Sequence, residues 1–331
     1  MRKISAFSFV GVAVFAMLLA GCKKNDGPAQ TDPPGVVNGS TALTYSAQNQ
    51  PFVQNDELTY ADRDTSASNT STFLKVDTAI IPVRWGRFID PHGITRTFTV
   101  SANDSIAFVY IHRVITGKLV ILVRNKPPQD TTQFYLVQKP FTDTTRRVIV
   151  FKRVSFTGLY INRWVPVATS LVNGGTLPPN NNITITQAVL YYPTGDSLVV
   201  TDPDTTFLLY RWTRMFVHTT KIVPEFVAGD RIKLRVTVVS KDATGDIVAL
   251  RYGVNVLNHK RVVLQLVSSV DNNDGTYTRI YETPLNPLAY LYMHVFSGWF
   301  HFGVDAITRA TLFDDSAVYS ASWWAIPYRV F

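Results

Sequence analysis

The chain has one cysteine in 331 residues, Cys22, and only three glutamates, Glu57, Glu225 and Glu282. A single thiol excludes an intrachain disulfide framework and any zinc site built from several thiolates, so stability must come from buried apolar area. The scarcity of glutamate removes a favoured residue of exposed helix faces. Charged residues make up only 17% of the chain and hydrophobic ones 46%, enough apolar matter to exclude wholesale disorder. What is abundant points one way. The 40 valines and 36 threonines lose rotamer freedom in a helix and pack well on a pleated surface. Composition therefore predicts an all-β fold, and length predicts two ordinary domains.

Catalytic signatures are missing as well. No G-x-S-x-G elbow, Walker loop, dinucleotide glycine fingerprint or H-E-x-x-H occurs, so no catalytic residue, metal ligand or cofactor is assigned. With so few glutamates, a hydrolase would rest on aspartates, Asp305 with Asp314 or Asp315 being the pair to check. His294 and His301 flank Trp299, a pattern that strand ends and turns explain without a metal. The run Asp271 to Asp274 offers hard oxygens, but Gly275 falls where an EF-hand needs a ligand and no glutamate closes the loop, so it reads as a turn.

The amino-terminal residues carry an address. Arg2 and Lys3 precede an apolar stretch from Ile4 to Ala20 that stops at small residues, the shape of a secretory signal over residues 1–21. Leu19-Ala20-Gly21-Cys22 resembles the lipobox of bacterial lipoproteins. The resemblance implies cleavage before Cys22, lipidation of its thiol and membrane attachment through the acyl chains, each buried methylene contributing about 0.8 kcal/mol. Lys23 follows the cysteine where the enteric sorting rule would need Asp for inner-membrane retention, so an outer-membrane location is expected, with either face open. The net charge of +8 reflects missing glutamate as much as added lysine, and nucleic acid is not an expected partner of an envelope protein.

Residues 22–72 are rich in Asn, Asp, Ser, Thr, Gly and Pro and read as a flexible tether, whose later part, with Phe52, Val53, Leu58 and Tyr60, could fold back onto the first domain. Over 73–160, β-branched runs separated by turn residues predict an antiparallel β-sandwich domain of five or six short strands. Within it, Asp104 to Gly117 fits either a strand or a helix capped by Asp104, and its β-branched content favours strand. Residues 161–182, with Gly174-Gly175 and Pro178-Pro179, read as a junction. Residues 183–331 predict about nine more strands and a second antiparallel sandwich.

In that second domain Asp274-Gly275-Thr276-Tyr277 resembles the D-G-x-Y stretch of immunoglobulin-like domains. The resemblance implies an Ig-like sandwich in which Gly275 takes a positive φ and Tyr277 is a structural corner residue, its hydroxyl bonding back to backbone.

Two surface features suggest partners. Arg231, Lys233 and Arg235 share one strand face, which could meet an acidic glycan or lipid phosphate but reads first as a solvated face whose like charges discourage edge pairing. Trp299, Trp323 and Trp324 are the candidate ligand-binding residues. Adjacent strand residues point to opposite faces, so Trp323 and Trp324 cannot both enter one core, and an exposed indole would stack on a sugar. Packing between domains explains the same pair without a ligand. In outline the chain is similar to surface glycan-binding lipoproteins, which implies a lipid-anchored envelope protein that binds or scaffolds, with polysaccharide as ligand. The alternative is a structural or adhesive component that holds other envelope proteins.

Overall fold

The computed structural model describes residues 39–50, 53, 80–125, 133–156, 161–209, 222–227, 230, 232–252, 260–283 and 298–330. The signal segment and Cys22 lie outside these residues, as do Arg231 and His294. The fold is all-β, and among the described residues it has two short helices, α1 (Gly39–Gln48) and α2 (Arg309–Phe313). Among the described residues sixteen strands form two antiparallel sheets of eleven and five strands, with one short parallel pairing.

The carboxy-terminal part is a sandwich. One sheet holds, in spatial order, β13 (Gln265–Asp271), β14 (Tyr277–Glu282), β10 (Lys233–Ser240), β6 (Ile183–Tyr191) and β7 (Ser197–Val200). It faces β16 (Ala321–Val330), β15 (Gly298–Thr308), β11 (Asp246–Tyr252) and β12 (Lys260–Val263). With β6, β10, β11 and β12 lettered A, B, C and C′, and β13 to β16 lettered D to G, the orders are D-E-B-A, with β7 beyond A, and G-F-C-C′. The apolar core between the sheets includes Leu234, Val236, Val238, Val304, Trp324 and Ile326. The clean alternation of β10, with even-numbered residues from Leu234 to Ser240 buried, is what one wet face and one dry face require.

The motif that suggested this sandwich sits elsewhere in it than expected. Asp271 pairs with Tyr277, so residues 271–277 close the D–E hairpin and not a strand-to-strand corner between the sheets. Gly275 has φ +81°, as anticipated, and Asn273 has φ 61°. Tyr277 instead lies beneath the Arg279 guanidinium, 4.8 Å from its ring centre.

The two-domain expectation is corrected. β1 (Ile81–Ala102), β2 (Ile106–Arg124) and β3 (Phe134–Phe156) are three long strands, and β3 pairs with β5 (Val172–Thr176), which pairs with β16. The G-F-C-C′ sheet therefore continues through residues read as a junction. β4 (Ile161–Ser170) likewise pairs with β3 and with β8 (Phe207–Leu209), and β9 (Glu225–Phe226) runs parallel to β16. Gly174 and Gly175 looked like linker residues, but their reason is proximity. A β-carbon on Gly175 would lie 2.5 Å from the Ala321 carbonyl oxygen, and one on Gly174 2.6 Å from that of Thr144. Residues 106–117 belong to β2, so the helix alternative for that segment falls. The short strands expected over 81–102 merge because a bulge at residues 89–94, with His92 at φ 63°, bends β1 without ending it.

The extended sheet curls until its end strands meet. Arg261 of β12 donates to the Trp85 carbonyl of β1 at 3.1 Å and its guanidinium stacks 3.8 Å from the indole centre. The curl encloses a second core with Ile115, Leu119, Ile121, Ile307 and Trp323. A third, of Ala107, Val109, Ile111, Ile149 and Phe151, is covered by Leu43 and Ala47 of α1 and by Val53. Part of the segment read as tether thus folds onto the first strands, because α1 presents Leu43 and Ala47 four residues apart on one face.

Candidate functional site

Between the second and third cores the inward rows of β2 and β3 turn polar. On β2 the row runs Ile111, Arg113, Ile115, and on β3 it runs Phe141, Asp143, Thr145, Arg147, Ile149, every one buried. β15 contributes His301 and Asp305 from the face opposite its sandwich residues. Asp305 is 0% exposed, with one oxygen 2.6 Å from Arg87 and the other bonded to Arg251. Arg87 also donates to the Tyr319 hydroxyl at 2.6 Å, Tyr319 donates to Asp143 at 2.8 Å, and Thr176 donates to the other Asp143 oxygen at 2.9 Å.

Burial alone would raise the Asp305 carboxyl, but Arg251 and Arg87 more than offset it and hold it below the usual carboxylate range. Burial pushes the Tyr319 hydroxyl well above its ordinary value. Arg147 approaches His301 Nε2 at 3.2 Å. A guanidinium can only donate, so Nε2 carries the lone pair and the imidazole is neutral with its proton on Nδ1. Burial first, then Arg147 and Arg113, depress its affinity for a proton well below normal.

A pH dependence follows. The folded imidazole stays neutral where the unfolded one, near 6.5, protonates, so the stability it contributes is present above about pH 6.5 and lost as pH falls. The urea midpoint is expected to drop between pH 7.5 and 5, with a slope approaching about 1.4 kcal/mol per pH unit from this group, and His301→Asn to flatten it. An unchanged slope in the variant would refute this assignment.

A half-open cleft of about 590 Å³ lies beside this belt, between β3, the turn leading into β6 and the segment between α2 and β16. Its polar walls are Gln138, Thr142, Thr176, Asn180, Asp315 and Ser316, and its apolar ones include Pro140, Leu177, Pro178 and Val318. Lys139 underlies it, donating to the Asp314 and Ala317 carbonyls and so fixing the loop that forms one wall. Phe141 and Tyr319, 5.1 Å apart between ring centres, close the floor. The volume falls within the range of small-ligand sites, and apolar surface interleaved with amides and hydroxyls suits a neutral polar ligand.

The sequence-selected residues fall elsewhere. Trp323 is 1% exposed in the curled core and Trp324 3% exposed in the sandwich core. They take opposite faces as strand pleating demands, but both faces of β16 are covered, so neither indole can stack on a sugar. Trp299 pairs with Arg329 in β15, and its side chain lies outside the described residues. Asp305 is sealed by arginines, whereas Asp315 lines the cleft, and Asp314 accepts from Ser316 in a turn. The aspartate pair proposed for a hydrolase therefore shares no cleft. The Asp271 and Asp274 carboxylates bind backbone N–H groups within their own turn. Lys233 and Arg235 both pair with Glu282, which neutralises part of the basic row. The cleft was missed because its walls come from three separated segments of ordinary polar residues.

No family model matches the chain, and neither a curated protein nor a solved structure matches it.

Proposed function

We propose that this is a lipid-anchored binding protein of the bacterial cell envelope, held at the outer membrane through Cys22, whose cleft holds a neutral polyhydroxylated ligand such as a glycan segment. The observation that carries the reading is the cleft itself, where amide and hydroxyl groups alternate with apolar surface and Lys139 braces the loop that forms one wall. Hydroxyl-rich ligands need many hydrogen bonds of modest strength and an apolar face against the ring carbons. Among the described residues Asp315 is the one carboxylate in the cleft walls. On a glycan array the mature protein is expected to retain a ligand that Gln138→Ala with Asn180→Ala loses, while Trp324→Ala protein that folds still retains it. Absence of binding by the parent chain would sink the ligand class, and a free thiol at Cys22 in material from native membranes would sink the anchor.

One observation favours a protein partner as a second reading. β13 is an edge strand with no charged residue from Gln265 to Val270, and Leu266, Val267 and Val270 are exposed. The opposite edge of that sheet is only the four residues of β7. Unprotected edges of this kind accept an added strand.

A further inference from the structure

The inward rows of β1, β2 and β3 are accounted for by the cores and the polar belt. Their outward rows are not. In the part of this leaf nearest α1, β2 turns Ile106, Phe108 and Tyr110 to solvent, 38%, 36% and 45% exposed. Across β1, Ser101 pairs with Phe108, Thr99 with Tyr110 and Thr97 with His112, all exposed. Across β3, Lys152 pairs with Ile106, Val150 with Phe108 and Val148 with Tyr110, and these are half-buried. The outward rows of residues 95–101, 106–114 and 144–152 carry no Asp or Glu. Among the described residues two carboxylates reach its margins: Asp104, exposed in the β1–β2 turn, and Asp204, which pairs with Arg146 from the turn after β7.

An apolar row of three residues at every second position, bordered by hydroxyls on one side and a lysine on the other, with acids only at its margins, has the chemistry of a membrane interface. Aromatic rings settle at the headgroup level, hydroxyls stay hydrated, and cations favour anionic lipid. The anchor adds an independent argument. Sixteen residues separate Cys22 from Gly39, the first residue of α1, and they can span at most about 58 Å. α1 packs on the reverse of these same strands, against Ala107, Val109 and Ile111. Any lipid on Cys22 therefore sets only an upper limit, of that length, on the distance between Gly39 and the bilayer.

We propose that the outward face of β1–β3 around Phe108 and Tyr110 rests on the anionic phospholipid surface to which the chain is anchored. This rests on the lipid-anchor reading. The contact orients the molecule and keeps the cleft, built on the more distant part of β3, in solvent.

The test exploits the cysteine count. Once Cys22 is acylated, a cysteine introduced as Thr97→Cys or Tyr110→Cys is the only free thiol. Each variant, and a Val199→Cys control on exposed β7, carries an environment-sensitive fluorophore. The acylated protein is reconstituted into vesicles of phosphatidylcholine and phosphatidylglycerol with brominated acyl chains. Quenching at 97 and 110 but not at 199 is the expected result. Equal quenching at all three sites, or none at 97 and 110, overturns the proposal while leaving the anchor intact. A maleimide-reactive thiol in the unsubstituted chain overturns the anchor and this proposal with it. Protection of residues 97 and 110 by a soluble acidic polysaccharide, with no quenching by lipid, reassigns the face to a glycan and likewise overturns it.

Discussion

Asp305→Ala is expected to destabilise the fold by about 3–5 kcal/mol. The carboxylate is the shared counter-ion of Arg87 and Arg251, which approach it from β1, at one end of the curled sheet, and β11, next to its other end. Removing it leaves two buried guanidinium groups without their shared counter-ion. The penalty is desolvation of the surviving charges, not the net attraction of the lost pair. Replacing all three together, Arg87→Met, Arg251→Met and Asp305→Leu, is therefore expected to recover most of the loss, since apolar groups of similar volume need no counter-ion. Urea unfolding at pH 7.5 measures both. A loss below about 1 kcal/mol in the single variant would mean that solvent reaches the pair and screens it.

Trp323→Ala and Trp324→Ala are each expected to cost about 3–5 kcal/mol, through different cores. Trp324 lies in the sandwich with Val304 and Ile326, and Trp323 in the curled core with Leu119 and Ile307. Each truncation removes a large apolar surface and leaves a cavity that strands paired on both sides cannot collapse to fill. Urea midpoints of both variants check this. If Trp324→Ala left stability untouched while ligand retention fell, the indole would be a recognition surface after all. The same substitution thus separates the core role from the ligand role.

These expectations depend on the curled sheet being one cooperative unit. Trp85 is central to that, since its carbonyl and ring bind Arg261 and its indole lies 5.8 Å from the Arg251 guanidinium. The closure joins the first strand to the fourth strand of the sandwich sheet, and no separate amino-terminal domain remains to unfold by itself.

The β class, the alternating strand at residues 232–238 and the positive φ of Gly275 were readable along the chain, because each depends on neighbours two or three residues apart, whereas the break at Leu264 that sends β12 and β13 to different sheets was not. Alternation in residues 232–238 identifies a strand with one dry face, and Trp323-Trp324 must point opposite ways on any regular strand. None of this says whether one or both faces are covered. That is decided by which strands lie on either side, and β16 has β15, β5 and the opposing sheet around it.

Tertiary structure alone decided the polar belt, the cleft and the joining of the two halves. Arg87 and Asp305 are 218 residues apart, Tyr319 and Asp143 176 apart, and no periodicity brings such groups together. Gly174-Gly175 and Pro178-Pro179 have the composition of a linker, yet the glycines are there so that β3, β5 and β16 can approach. Local sequence reports conformational preference and face, which are properties of a few adjacent residues. Partnership between distant strands depends on the balance of burial and desolvation over the whole sheet, and that balance exists only once the chain has closed on itself.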